Sequence, residues 1–204
     1  MTSQRHTPVG PAPTRLDDDL LLDAARECVL DVGVRRTTLS SVARAAGVSR
    51  MTLYRRFPDV RSLIAALMTR EFGSLLTKVD KAGRRNATAR ERLVAVVVDS
   101  VRALSANQLM RTVLERDAEL MLPYIVRRIG AVQRIAEQFV HDNIVAGHAD
   151  GSIRRADPAA QARAIFLVAQ SFVFSMRPAT SDVDRSALIT ELTHLLDATL
   201  RSTP

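Results

Sequence analysis

Apolar residues recur along most of this chain at three- and four-residue steps, the period of an amphipathic helix, and no segment alternates long enough to read as a strand. Leu21, Ala24, Ala25, Cys28, Val29 and Val32, closed by Gly33, predict a first helix. Leu39, Val42, Ala43 and Ala46 predict a short second helix, capped by Thr38 and stopped by Gly47. Ser49 caps a third whose single inward pair is Leu53 and Phe57. Pro58 and Asp59 then open a longer helix through Leu63, Ile64, Leu67 and Met68.

Beyond a polar joint at Lys78 to Asn86 the helices become longer and more apolar. Leu93 to Leu104 is apolar almost all round, the mark of a helix enclosed by others. A segment with Leu109, Val113, Leu114 and Leu120 is broken by Pro123, and Tyr124 to Val145, through Ile125, Ile129, Val132, Ile135, Val140 and Ile144, predicts one long helix. Gly147 to Ala156 reads as a loop. Asp157 and Pro158 start a helix that Pro178 should stop, and Asp182 or Asp184 caps the last one. The expectation is an all-α chain: a disordered arm over 1–15, a helix-turn-helix domain over 16–76, and a helical bundle over 77–204. Arg5 and Arg15 lie on that arm, whose Pro and Thr content gives it no periodicity.

Charge sharpens this picture. The net charge is +7, and Lys78 and Lys81 are the only lysines, so guanidinium is the working cation. Arg35, Arg36, Arg44, Arg50, Arg55, Arg56, Arg61 and Arg70 against Asp31, Asp59 and Glu71 place +5 of the excess in residues 31–75. Arginine forks onto phosphate or onto guanine O6 and N7, so two short helices around a glycine turn, the second rich in arginine, have the layout of a DNA-reading helix-turn-helix.

Residues 20–70 resemble the DNA-binding domain of the TetR family of bacterial transcription regulators. The matching pieces are LLDAARECVLDVG, TTLSSVARAAGVS and MTLYRRFPDVRSLIAAL. The resemblance implies that Arg50, Met51 and Thr52 face base edges of an operator duplex. It implies backbone contacts by Tyr54, Arg55 and Arg56, and by Thr37, Thr38 and Ser40 near the second helix. Where family members often carry a lysine, third after the Phe, this chain has Val60, with Arg61 beside it as a weaker substitute. For the second domain the resemblance implies an effector pocket among the middle helices and a dimer interface on the last two.

The residues agree with this in part. Met110, Met121, Phe139 and Phe166 suit an apolar cavity as well as a closed core, and Asn107, Gln108 and His141 are polar groups able to orient a mostly apolar small molecule. Phe172, Leu188, Leu192, Leu195 and Leu196 give the last two helices a stripe broad enough for a homodimer. No cofactor and no metal site is expected, since the histidines form no i, i+4 pair and Cys28 is the only cysteine. There is no nucleophile with its base, no nucleotide loop, no run of eighteen apolar residues and no signal-peptide pattern. The expectation is a cytoplasmic, non-enzymatic, ligand-released repressor with no membrane partner. An activator of the same fold and a non-specific architectural DNA-binding protein stand as alternatives.

Overall fold

The structure, a computed structural model, describes residues 15–83, 87–123 and 129–202, with side chains from Asp18 onward. Residues 1–14 of the expected arm, the side chain of Arg15, the end of the expected joint at 84–86, and Tyr124 and Ile125 fall outside it. The described helices are α1 Arg15–Val32, α2 Leu39–Ala45, α3 Arg50–Arg56, α4 Val60–Gly83, α5 Ala89–Ala106, α6 Gln108–Arg116, α7 Ala131–Ala149, α8 Pro158–Ala179 and α9 Arg185–Leu200. Among the described residues a 3-10 turn spans Ala118–Leu120, and an isolated bridge joins Ile153 to Arg201. Two compact units result, Met1–Leu67 and Met68–Pro204, and the division falls inside the continuous α4.

The polar joint expected from Lys78 is helical as far as Gly83, since α4 runs on through it, and three further boundaries depart from expectation. The helix expected from Tyr124 is not continuous, because residues 129 and 130 are not helical and Gly130, extended at ψ 175°, is the N-cap of α7. Its amide donates to Gln133 Oε1 at 2.7 Å, so the break is stabilised locally. α7 in turn continues to Ala149, past the Gly147 expected to begin a loop. Pro178 lies inside the last turn of α8 rather than ahead of its end; it has no N–H to give to the carbonyl four residues before it, a loss confined to the end of the helix.

In the first unit Leu21, Leu22, Ala25, Val29, Leu39, Val42, Ala43, Leu53, Phe57, Leu63 and Leu67 are buried. Cys28 is only half-buried and Val32 is exposed, so the α1 stripe is narrower than its sequence pattern.

In the second unit α5 is the central helix. Leu93, Val94, Val96, Val97, Val98 and Val101 are buried around its circumference, and it packs on α7, α8 and α9. α8 is long and apolar enough by composition to cross a bilayer, yet its Ala162, Ile165, Val173 and Met176 are buried in this helical core. The N-terminus of α5 is capped from afar: besides Thr88 and Glu91, which form a capping box, Asp150 Oδ2 accepts the Ala89 amide at 2.9 Å and Ser152 Oγ accepts that of Arg90 at 3.1 Å. Asp197 of α9 pairs with Arg90 and Arg201. These contacts hold the turn after α7 against both helices.

The capping carboxylates make a pH prediction. Burial alone would raise Asp150, but hydrogen bonds from Ser152 and the Ala89 amide outweigh it and hold the carboxyl below its ordinary value. Asp59 is lowered mainly by the Ser62 amide, and Asp184 mainly by the Ser186 hydroxyl. A depressed folded pKa stabilises the fold above the ordinary carboxylate range, near pH 4, and the contribution is lost as pH falls through the folded value. Melting temperature should therefore fall on acidification below about pH 4, and Asp150→Asn should flatten that fall. An unchanged acid limb in the variant would remove Asp150 from the account.

Candidate nucleic-acid interface

The geometry of α2 and α3 follows from local signals. Thr38 is extended and accepts the Ser41 amide at 3.0 Å, while Ser41 Oγ accepts the Thr38 amide, a reciprocal capping box. Gly47 ends α2 at φ +67°, a conformation that costs any residue with a Cβ. The Gly47 amide donates to Arg44 O at 3.2 Å and the Val48 amide to Ala43 O at 3.0 Å, a Schellman motif that satisfies the last carbonyls. Two residues later Ser49 Oγ accepts the Thr52 amide at 3.1 Å and starts α3. Leu53, fully buried, and Phe57 then fix which face of α3 turns inward.

What remains outward is cationic and amphipathic. Arg50, Thr52, Arg55 and Arg56 are exposed, with Met51 70% and Tyr54 50% accessible. Arg44, Arg50 and Arg55 have no carboxylate partner among the described residues. Arg44, exposed on the last turn of α2, is not in the expected contact set, although it belongs to the counted charge. Thr38 is exposed and Ser40 half-buried beside it; Arg61 is exposed on the first turn of α4, where it favours the ionised form of Asp59.

Two expected phosphate contacts take other roles. Thr37 is 3% exposed and donates its hydroxyl to Gly33 O at 2.7 Å, so it ties the α1–α2 link instead of presenting a donor to solvent. Arg56 forks onto Asp18 of α1, Nε to Oδ1 at 2.5 Å and Nη2 to Oδ2. That hydrogen bond and charge raise its already high pKa and commit the guanidinium to holding α3 against α1. The residue type identified a cation; nothing local indicated a partner 38 positions away.

The second unit places the other expected residues as follows. Leu192 and Leu196 are 0% and 2% exposed inside the protomer's own core, and Phe172 and Leu188 pack against that core. Leu195 is 49% exposed. On and beside the last two helices the outward apolar residues that the sequence pattern missed are Leu167 on α8, 52% exposed, and Val183 just before α9, while Ile135, expected on the apolar stripe of α7, is also exposed; Leu167 lies opposite the buried Ala162, Ile165 and Val173 and is legible once that stripe is known to face inward. Of the expected effector residues, Met110 and Phe166 are buried, and Met121 and Phe139 are half-buried. Asn107 is the N-cap of α6, its Oδ1 occupied by the Met110 amide at 3.0 Å. His141 Nδ1 is buried without a hydrogen bond. An open surface cleft of about 620 Å³ lies elsewhere, at His148, Asp150, Arg154 and Arg155.

A buried three-helix scaffold that presents a capped, arginine-bearing helix across a Schellman turn defines a DNA-binding helix-turn-helix protein. Residues 21–67 match the family model described as "Bacterial regulatory proteins, tetR family", and residues 86–173 match "Tetracyclin repressor-like, C-terminal domain". The chain is 37% identical over 180 residues to Rv2250c, an uncharacterised HTH-type transcriptional regulator of Mycobacterium tuberculosis H37Rv, covering 88% of this chain and 92% of that one. Its fold matches the fatty acid degradation regulator FadR from Bacillus halodurans with a TM-score of 0.69 at 21% identity, over 94% of this chain and 100% of that one. It also matches FadR from Bacillus subtilis, solved in complex with stearoyl-CoA, with a TM-score of 0.68 at 19% identity over 90% and 99% of the two chains. This protein belongs to the TetR family of transcriptional regulators, a family of DNA-binding proteins and not of enzymes.

Proposed function

We propose that this regulator is a ligand-released repressor that binds a palindromic operator as a homodimer. The observation that supports it most is the outward face of α3, where Arg50, Met51, Thr52, Tyr54 and Arg55 are exposed on a helix whose other face is locked by Leu53 and Phe57. Arg50, Met51 and Thr52 at its start read base edges; Tyr54, Arg55, Thr38, Ser40 and Arg61 hold phosphate. Arg44 joins them. A second copy docks on the side of α8 and α9 that exposes Leu167 and Leu195, a surface that a monomer would leave in water. An isologous dimer of this kind presents two copies of α3, which accounts for a palindromic site.

Arg50→Ala should cost about 1–3 kcal/mol of operator binding and relax preference at one base pair per half-site. Arg55→Ala should weaken all sequences alike and lower the salt slope by about one. Arg56→Ala should leave that slope nearly unchanged, since Asp18 already neutralises its guanidinium. A slope drop for Arg56→Ala equal to that for Arg55→Ala would return Arg56 to the phosphate contacts.

The effector is a mostly apolar small molecule held among α5, α6 and α7, near Met110, Met121 and Phe139. A long acyl chain, the kind of group bound by the Bacillus subtilis neighbour, is the first to test. Release requires tighter binding to the form that does not bind DNA; a guest with equal affinity for both forms shifts nothing. Footprinting on the promoter of the protein's own gene, repeated with acyl-CoA and apolar compounds, tests the reading. A protected palindrome that clears on addition of one compound supports it. Equal protection of random DNA would favour the architectural alternative, and protection strengthened by ligand would favour an activator.

A further inference from the structure

The exposed face of α3 carries a chemical preference beyond its charge. At about 100° per residue, Leu53 and Phe57 point one way and the opposite side of the helix belongs to Arg55 and Met51. Met51 is 70% exposed, the most exposed large apolar side chain among the described residues. A flexible thioether so largely in water on a short helix adds little to the packing of the chain, and its removal would leave no buried cavity. Its neighbours narrow what it can meet. Thr52 is tied through its hydroxyl to Ser49 Oγ at 2.9 Å and through its amide to the same cap, so the start of α3 is fixed in orientation. Arg50 and Arg55 beside Met51 have no carboxylate partner among the described residues, so the surface around the thioether is cationic and attracts the polyanionic groove.

In the major groove the one sizeable apolar group on a base edge is the 5-methyl of thymine; beside the hydrogen-bond donors and acceptors there is otherwise only small C–H surface, such as the C5–H of cytosine. Methionine offers no donor and only a weak sulfur acceptor, so it gains little from the polar features of any base pair and gains by removing a methyl group from water. We infer that Met51 selects a pyrimidine carrying a 5-methyl group, a thymine in ordinary DNA, at one position of each half-site. The inference rests on the proposed placement of α3 in the major groove and adds the identity of the group that Met51 reads. The same methyl on 5-methylcytosine offers the same contact.

The test begins with an operator obtained by selection from random duplexes with the full-length protein. Each thymine of a half-site is then replaced in turn by deoxyuridine, which removes only the methyl. One replacement should weaken wild-type binding about three- to fivefold, the effect of leaving one methyl-sized group unburied. Met51→Ala should bind the thymine and uracil duplexes alike while keeping close to the wild-type melting temperature, because the side chain is largely in water. At that same position a C·G pair should bind more weakly than T·A, with part of the loss recovered when the cytosine carries a 5-methyl group. If no uracil replacement separates wild type from Met51→Ala, Met51 does not read a methyl group, although the selected operator still stands. If selection returns no preferred sequence, the major-groove placement fails, and the methyl preference with it.

Discussion

Leu192→Arg should abolish folding of the second unit, whereas Leu195→Arg should leave it folded and monomeric. The two residues lie three apart on α9, and on sequence pattern they are interchangeable. Leu192 is fully buried, within one cluster with Leu93, Val97, Ile144, Ile189 and Leu196. Truncating such a leucine costs about 2–5 kcal/mol, and an uncompensated buried guanidinium adds about 3–5 kcal/mol. Together these approach the whole stability of a typical domain, about 5–15 kcal/mol. Leu195 is half in water already, so a guanidinium there needs little desolvation until a second copy covers it. Circular dichroism and sedimentation at micromolar concentration separate the outcomes: helical signal lost for Leu192→Arg, kept for Leu195→Arg with the sedimentation coefficient of one chain. A folded Leu192→Arg monomer would overturn the placement of Leu192 in the protomer core. A dimeric Leu195→Arg would move the interface elsewhere.

Gly147→Ala should destabilise the protein even though it places the better helix former in α7. Alanine in a helix interior gains about 0.8–1.0 kcal/mol over glycine. A Cβ on Gly147, however, would overlap the Ile153 side chain as far back as its own Cβ, so rotation of a distal methyl cannot relieve it. Ile153 is 1% exposed, its amide donates to Gly147 O at 3.0 Å, and it is bridged to Arg201, so it has little room to retreat. Overpacking of this kind costs about 1–3 kcal/mol, enough to reverse the propensity gain; Gly147→Val should be worse. Gly73→Ala is the control. That glycine lies within α4, where an added methyl group would meet nothing within 4 Å, and the substitution should stabilise by about 0.5–1 kcal/mol. Urea unfolding of the three variants beside wild type checks the opposite signs, and a stabilised Gly147→Ala would mean that Ile153 can move aside.

Most of the reading head was legible in the amino-acid sequence, for a physical reason. Thr38 with Ser41, Ser49 with Thr52, Gly47 with Arg44, and Val48 with Ala43 are partners within five residues of each other, so their geometry follows from backbone sterics and hydrogen-bond reach. Leu53 and Phe57 define the inward side of α3 in the same way, and with it the outward placement of Arg50 and Met51. The helical class of the whole chain rests on the same kind of local periodicity.

Tertiary structure decided what periodicity leaves degenerate. An apolar stripe on α9 says that one face is covered, but whether Leu192 or Leu195 meets the protomer's own core depends on where α5, α7 and α8 lie around it. Arg56 is a cation by its residue type and an internal tether only because the fold brings Asp18 beside it. Thr37 sits next to a cap yet turns inward to Gly33 O, which a resemblance carried over by position does not distinguish. The caps from Asp150 and Ser152 on α5 join positions about 60 residues apart. Short-range geometry is written residue by residue; the choice of which face meets which neighbour emerges only when distant segments compete to bury the same apolar surface.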